Sequence, residues 1–163
     1  MNDTLEFFSA DPVYRKHMMN RITFSAVYAW SENYILPLSH DEVVHGKGSL
    51  LGKMPGDQGQ KMAGLRLLLA FQWFFPGKQL LFMGGERALP KEWNFREALP
   101  EGSDEMKGYV RSLNRFATSN PCLFRNDNSP EGFRWIDSPT PRHPSCPSSG
   151  WPRAIPPSSA FST

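Results

Sequence analysis

Apolar positions along the chain fall into two short runs separated by one long one. Tyr34-Ile35-Leu36-Pro37-Leu38 and Leu80-Leu81-Phe82-Met83 are too brief for helices. They have the continuous apolar character of strands buried on both faces. Between them, Gln58 to Phe75 is apolar nearly all round, through Met62, Leu65, Leu67, Leu68, Leu69, Phe71, Trp73, Phe74 and Phe75. That pattern predicts a helix covered by protein on most sides. Asp57 supplies an N-cap with Gln60 in the reciprocal position, and Pro76-Gly77 ends the helix. Strand, helix and strand in this order make one right-handed β-α-β crossover of a parallel sheet.

The flanks are read in the same way. Asn2 to Tyr14 predicts two short helices, the first capped by Asp3 or Thr4 and the second opened by Asp11-Pro12. Ile22 to Ala29 reads as helical, and Ser31-Glu32-Asn33 breaks the pattern before the first strand. Downstream, Met106, Tyr109, Val110, Leu113 and Phe116 recur at helical spacing within Asp104 to Thr118, as core contacts do. Gly132 to Ile136 alternates like one strand of a further sheet. From Ser138 the chain is rich in Pro and Ser with no period, so disorder is expected there. The strand pattern halts at Asp137, and out-of-frame translation of the tail would account for the break. The organisation expected is residues 1–118 as one α/β unit, 119–137 as a linker and the start of a β-domain, and 138–163 as tail.

The candidate chemistry gathers where the first apolar run stops. Ser39, His40, Asp41 and Glu42 arrive together, followed by His45 and by glycines at 46, 48 and 52 that free the backbone to turn. A buried strand that ends in a His-Asp pair has the layout of an α/β active-site edge, where ligands sit beyond the carboxyl ends of parallel strands. Local pattern alone leaves a solvated loop equally open. The second run ends similarly, in Gly84-Gly85-Glu86.

Composition narrows the classes. A chain of 163 residues has the length of one domain, and its net charge of +2 is spread among acids instead of forming a basic stripe. Nothing in it favours nucleic acid. Cys122 and Cys146 have no metal-type spacing, which makes a reducing compartment the default. The first residues lack a signal peptide's basic start and apolar core, and no stretch reaches the roughly 18 apolar residues a membrane span needs. A cytoplasmic protein without membrane association is expected.

Three motif readings fail, two on spacing and one on side-chain direction. His40 and His45 are five apart, about 140° around a helix, so they do not form the zinc motif that needs histidines four apart. The run Gly46 to Met54 has one residue too many for a phosphate loop, and Met54 stands where Ser or Thr must hold magnesium. Ser39, His40 and Asp41 cannot form a catalytic relay if they are consecutive strand residues pointing to opposite faces.

The segments NDTLEFFSADPVYRKH, ENYILPLSHDEVVHGKGSLLGKMPGD and PGKQLLFMGGE resemble the last third of the catalytic barrel of 1,4-α-glucan (glycogen) branching enzymes, in the α-amylase clan. The resemblance runs from Asn2 to about Asp137. It implies a partial (β/α)₈ TIM barrel comprising the last two β-α units, with the first strand of a C-terminal β-domain. Tyr34 to Ser39 would be barrel strand seven, Gln58 to Phe75 helix seven, Gln79 to Met83 strand eight and Asp104 to Thr118 helix eight. In the family, an α-1,4 bond is cleaved with retention and the glucan chain passes to a 6-hydroxyl. Asp41 matches the carboxylate that holds the sugar's 2- and 3-hydroxyls and stabilises the transition state. His40 matches the neighbouring sugar-binding histidine, and Glu42 completes the substrate-binding set.

The resemblance implies an α-glucan substrate and no cofactor or metal. It places the nucleophile and general acid on strands four and five, which precede Met1, so an upstream fragment of the same enzyme is an expected partner. Met1 matches a methionine internal to the family, and the chain reads as a remnant of a disrupted gene. Arg87-Ala88-Leu89-Pro90 departs from the family's Phe-Gly-Gln run, and Lys91-Glu92-Trp93-Asn94 resumes the resemblance. The isolated chain is expected to be aggregation-prone or molten and without branching activity. Two alternatives are a non-catalytic glucan-binding module using Trp30, Trp73 or Trp93, and a phosphate-binding loop using the Gly46 to Lys53 amides.

Overall fold

Asp57 starts the longest helix through its own side chain. Its Oδ1 accepts the Gln60 N–H at 2.8 Å, while Gln60 Oε1 accepts the Asp57 N–H at 2.8 Å. This reciprocal pair satisfies donors that the first helical turn leaves free. The computed structural model describes residues 1–31 and 35–135. Within them the elements are α1 (Asn2–Ser9), α2 (Pro12–Arg15), α3 (Asn20–Thr23), α4 (Ser25–Tyr28), β1 (Ile35–Leu38), α5 (Leu50–Lys53), α6 (Gln58–Phe74), β2 (Lys78–Leu81) and α7 (Asp104–Ser119). Short 3₁₀ turns lie at His40–Glu42, Gly85–Arg87, Pro121–Leu123 and Pro130–Gly132.

β1 and β2 pair in parallel, with Ile35 opposite Lys78 and Leu38 opposite Leu81. The connection between them contains α6, which fulfils the β-α-β expectation. Side chains alternate across a strand, so Leu36, Leu38, Gln79 and Leu81 share one face and Ile35, Pro37, Lys78 and Leu80 the other. The first face is the covered one: Leu36 and Leu38 are buried, and Gln79 Nε2 donates to Gln72 O of α6. On the other face Ile35 and Leu80 are 56% and 39% exposed.

α6 is the centre of the core. Leu65, Leu68, Leu69 and Gln72 form a stripe at helical spacing, each 0% exposed. α1 brings Leu5, Phe7 and Phe8 against it, with Phe8 and Phe71 ring centroids 5.7 Å apart. α5 adds Leu50 and Leu51, and Met54 closes on Gly64, where an added Cβ would stand 3.2 Å from the Met54 sulfur. α7 contributes Met106, Val110 and Leu113. It is tied to α6 by Tyr109 Oη donating to Arg66 O at 3.1 Å and by Trp73 Nε1 donating to Asn114 Oδ1 at 3.0 Å.

The structure corrects several expectations. β1 is not buried on both faces, because among the described residues only one strand pairs with it and no layer covers its second face. β2 spans Lys78–Leu81 and stops short of Met83, since its ladder can be no longer than its four-residue partner. α1 begins one residue before Asp3 with Met1 at the cap position, leaving Asp3 in the first turn beside Arg21 at 3.2 Å. The Ile22 to Ala29 segment folds as two short helices. Gly132 ends a 3₁₀ turn and Phe133 to Trp135 form no strand, since among the described residues no strand pairs with them. Ile136 and the 138–163 tail lie outside the described residues.

α6 also shows why full apolar coverage fails: Leu67 is 52% exposed and Phe74 46% exposed. Neighbouring leucines on this helix therefore respond oppositely. Leu68→Ala is expected to cost about 2–5 kcal/mol in urea unfolding followed by circular dichroism. Leu67→Gln should stay within about 0.5 kcal/mol and lower light scattering of the concentrated protein.

Candidate functional site

The parallel pairing of β1 and β2 delivers both strand exits to the same end of the sheet. Phe82 N–H donates to Leu38 O at 2.9 Å and keeps the exits level. At the first exit, extended Ser39 accepts the Asp41 N–H on its Oγ at 3.3 Å, which caps a 3₁₀ turn over His40–Glu42. This turn replaces the strand geometry on which His40 and Asp41 would diverge. Instead His40 Nε2 lies 3.1 Å from Asp41 Oδ1, with the two side chains 58% and 69% exposed. Adjacent residues are thus brought together, while Ser39's oxygen is engaged by the turn's backbone. Beneath the pair is an aromatic floor: the His40 ring lies 5.9 Å from Phe82, whose ring meets Trp93 edge-on at 5.2 Å.

Glu42 takes a different direction. It is half-buried, and its charge acts on Lys53. Burial lowers the Lys53 amine below the ordinary lysine value; Glu42 and Glu92 oppose that shift and Lys47 reinforces it. Lys53 Nζ donates to Lys47 O, and Lys47 Nζ donates to Asp41 O at 2.7 Å, so the loop's lysines brace its backbone.

The loop itself turns through left-handed residues at His45 (φ 58°), Gly46 (φ 79°) and Gly48 (φ 75°). Gly52 does not turn the chain: it is helical in α5, and its N–H donates to the capping Ser49 Oγ at 2.9 Å. Gly48 N–H donates to Glu92 Oε2 at 3.1 Å, and Trp93 N–H donates to Val43 O at 2.9 Å. These two bonds join the loop after β1 to the segment after β2. They also place a carboxylate where a phosphate-binding loop would present a free amide, which counts against the phosphate alternative. Together the segments enclose a groove of about 720 Å³ lined by His40, His45, Gly48, Glu92, Trp93 and Phe95, among others.

The second exit carries an ion pair. Arg87 Nε donates to Glu86 Oε1 at 3.1 Å, and an Arg87 terminal nitrogen donates to Pro100 O at 2.9 Å. Ala88 follows in the left-handed region (φ 52°, ψ 49°) although it carries a side chain, and it is buried. Of the three tryptophans considered as sugar platforms, Trp73 is excluded by burial at 7% exposure. Trp30 packs with Phe133 near Phe75, which precedes β2 and so lies toward the opposite end of the sheet. Trp93 alone of the three lines the groove. The link through Glu92 was missed in the sequence, because a contact spanning 44 residues leaves no local signature.

Among the described residues no grouping of three His, Cys, Asp or Glu could hold a metal ion, and no helix is long and apolar enough to cross a membrane. Two outcomes are expected at Glu92. Glu92→Gln should lower the Lys53 pKa further, as read by NMR of labelled lysines, because it removes an opposing negative charge. Glu92→Ala should speed exchange of the Gly48 amide about tenfold, from the ~1.5 kcal/mol typical of a hydrogen bond to a charged group.

No family model matches the chain. It is 53% identical over 144 residues to the 1,4-alpha-glucan branching enzyme of Cereibacter sphaeroides, a match covering 85% of this chain and 20% of that protein. The branching enzyme of Aquifex aeolicus is 52% identical over 143 residues, covering 84% and 23%. That of Ralstonia nicotianae is 53% identical over 143 residues, covering 83% and 18%. The chain therefore spans about a fifth of the length of the curated relatives it matches. Identity of about half, sustained over 85% of its residues, makes the chain similar, over that shared segment, to the 1,4-α-glucan branching enzymes.

Proposed function

We propose that this chain supplies one wall of a glucan-transferring active site, with Asp41 and His40 gripping the sugar ring at which an α-1,4 bond is cleaved. The observation that carries this reading is the solvent-facing His40–Asp41 pair, 3.1 Å apart on a turn at the carboxyl end of a parallel strand. A glycosidic transition state develops positive charge on the ring, and hydrogen bonds to the 2-hydroxyl strengthen as it forms. A carboxylate fixed at a strand end meets that charge, and the imidazole offers a donor to a neighbouring hydroxyl. Trp93 extends the groove beside them. Glu42, half-buried on the same turn, completes the proposed substrate-binding set.

The wider frame of this proposal is a (β/α)₈ barrel of which residues 1–118 form the last two β-α units. Its support is the parallel β1-α6-β2 unit together with an uncovered sheet face that exposes Ile35 and Leu80, the side that would point into a barrel filled by side chains. The nucleophile and general acid of such a site belong to strands other than β1 and β2, and residues 1–163 on their own are proposed to be inactive. A cytosolic setting and an α-glucan substrate belong to the same proposal.

The test is a chimera in which residues 2–118 replace the matching part of the Cereibacter sphaeroides enzyme. Branch-linkage analysis should show α-1,6 bonds formed by the chimera and none formed by the isolated chain. Asp41→Asn within the chimera should lower kcat about 10²-fold, with KM changed far less, as expected for a contact that tightens in the transition state. Full activity of the Asn variant, or branching by the isolated chain, would refute the reading.

A further inference from the structure

We infer that His45 is a further sugar-binding residue of the groove, its imidazole holding a second α-1,4-linked glucose unit beside the one that His40 and Asp41 grip. The inference rests on the function proposed above and deepens it. Val44 to Lys47 form a tight turn closed by the Lys47 N–H donating to Val44 O at 3.2 Å. Both central residues are left-handed, His45 at φ 58° and Gly46 at φ 79°. Turns of that form are dominated by glycine, asparagine and aspartate, because a Cβ crowds the neighbouring backbone there. Gly46 meets the requirement freely. His45 meets it only at a cost in backbone strain, and such strain collects where a side chain must be held for a ligand.

No packing of the His45 side chain offsets that cost. Ala88, the other non-glycine residue with a positive φ among the described residues, is buried in the core. His45 is exposed, and among the described residues its imidazole makes no hydrogen bond, ion pair or ring contact. It lines the same groove as His40, with Trp93 and Phe95 on the facing segment. The turn that carries it is firmly held: Val44 is buried, Lys47 Nζ donates to Asp41 O at 2.7 Å and Gly48 N–H donates to Glu92. His45 is thereby fixed relative to Asp41 while its own polar atoms stay open to a ligand. A neutral imidazole donates through one nitrogen and accepts through the other, as a sugar hydroxyl also does, so the two are complementary. Aromatic walls with a few polar groups that set orientation are what the apolar faces and hydroxyl edge of a glucose ring require. That ring can belong to the chain being cut or to the chain accepting the transfer, since both present the same hydroxyls.

The full chain and its His45→Gly and His45→Asn variants, with histidine rings labelled for NMR, are titrated with maltohexaose, and their urea unfolding midpoints are measured alongside. Maltohexaose should shift the His45 ring signals of the parent. His45→Gly should bind about tenfold more weakly, from the loss of a hydrogen bond, and His45→Asn, with its shorter reach, should fall between the two. Both replacements suit the left-handed turn, so their midpoints should equal or exceed the parent's, where a purely structural role for His45 would lower them. No shift at His45, unchanged affinity in His45→Gly, or midpoints that fall together with affinity would each overturn the inference. The source of the sugar is read in the chimera, by comparing α-1,4 bonds cut with α-1,6 bonds formed. His45→Gly lowers bond formation alone if the imidazole holds the accepting chain and lowers both together if it holds the chain being cut; a chimera in which neither changes would overturn the inference. Failure here is separable from failure of the proposed function. Unchanged kcat in the Asp41→Asn chimera, with maltohexaose binding still weakened by His45→Gly, would count against the proposed function alone. A lowered kcat in Asp41→Asn, with His45 variants that bind like the parent, would count against His45 alone.

Discussion

The organisation of this protein depends on burying one stripe of a helix against a pair of parallel strands. Leu65, Leu68, Leu69 and Gln72 of α6 are wholly buried, and Gln72 does more than pack. Its Nε2 donates to Leu36 O at 2.6 Å and to Leu80 O at 3.0 Å, so one amide group bridges both strands. A buried amide left without such partners would be costly, which makes the bridge a strong constraint on where the strands sit. Once their register is held, their carboxyl ends finish level with one another.

What happens at those ends is a consequence of that level finish. The Ser39 cap starts a turn on one strand, Phe82 stands beside it on the other, and the polar pair rests on the aromatic floor between them. Two bonds, Gly48 to Glu92 and Trp93 to Val43, tie the glycine loop to the segment after β2. Those bonds link segments far apart in sequence across the mouth of the groove. Rigidity under the loop and exposure of the acid-imidazole pair above it are the combination a binding site needs, since positioning must be settled before a ligand arrives.

Much of this was legible in the sequence, and the reasons differ by element. The Asp57 and Gln60 capping box, the Asp11-Pro12 helix start and the buried Met106, Val110 and Leu113 face depend on neighbours within a few residues, so local pattern suffices. The exposure of Ile35 was hidden because an apolar run reports what a strand could bury and not whether a layer is present to cover it. Gly132 to Trp135 failed as a strand for the related reason that alternation needs a partner to become a ladder. Gly52 shows a third kind of limit: glycine permits a turn without requiring one, and the Ser49 cap draws it into a helix. The sequence singles out His40 and Asp41 at the strand exit but hides their mutual contact, because consecutive strand residues would diverge where Ser39 instead begins a turn.

The central claim is that the Asp41 carboxylate, paired with His40, faces a bound glucose ring. A crystal structure of the branching-enzyme chimera soaked with a linear malto-oligosaccharide examines that contact directly. The account predicts Asp41 oxygens at about 2.5–3.0 Å from the 2- and 3-hydroxyls of one glucose, with His40 donating to the same ring. A sugar seated in the groove with Asp41 turned to solvent, or held only by residues after β2, would contradict it.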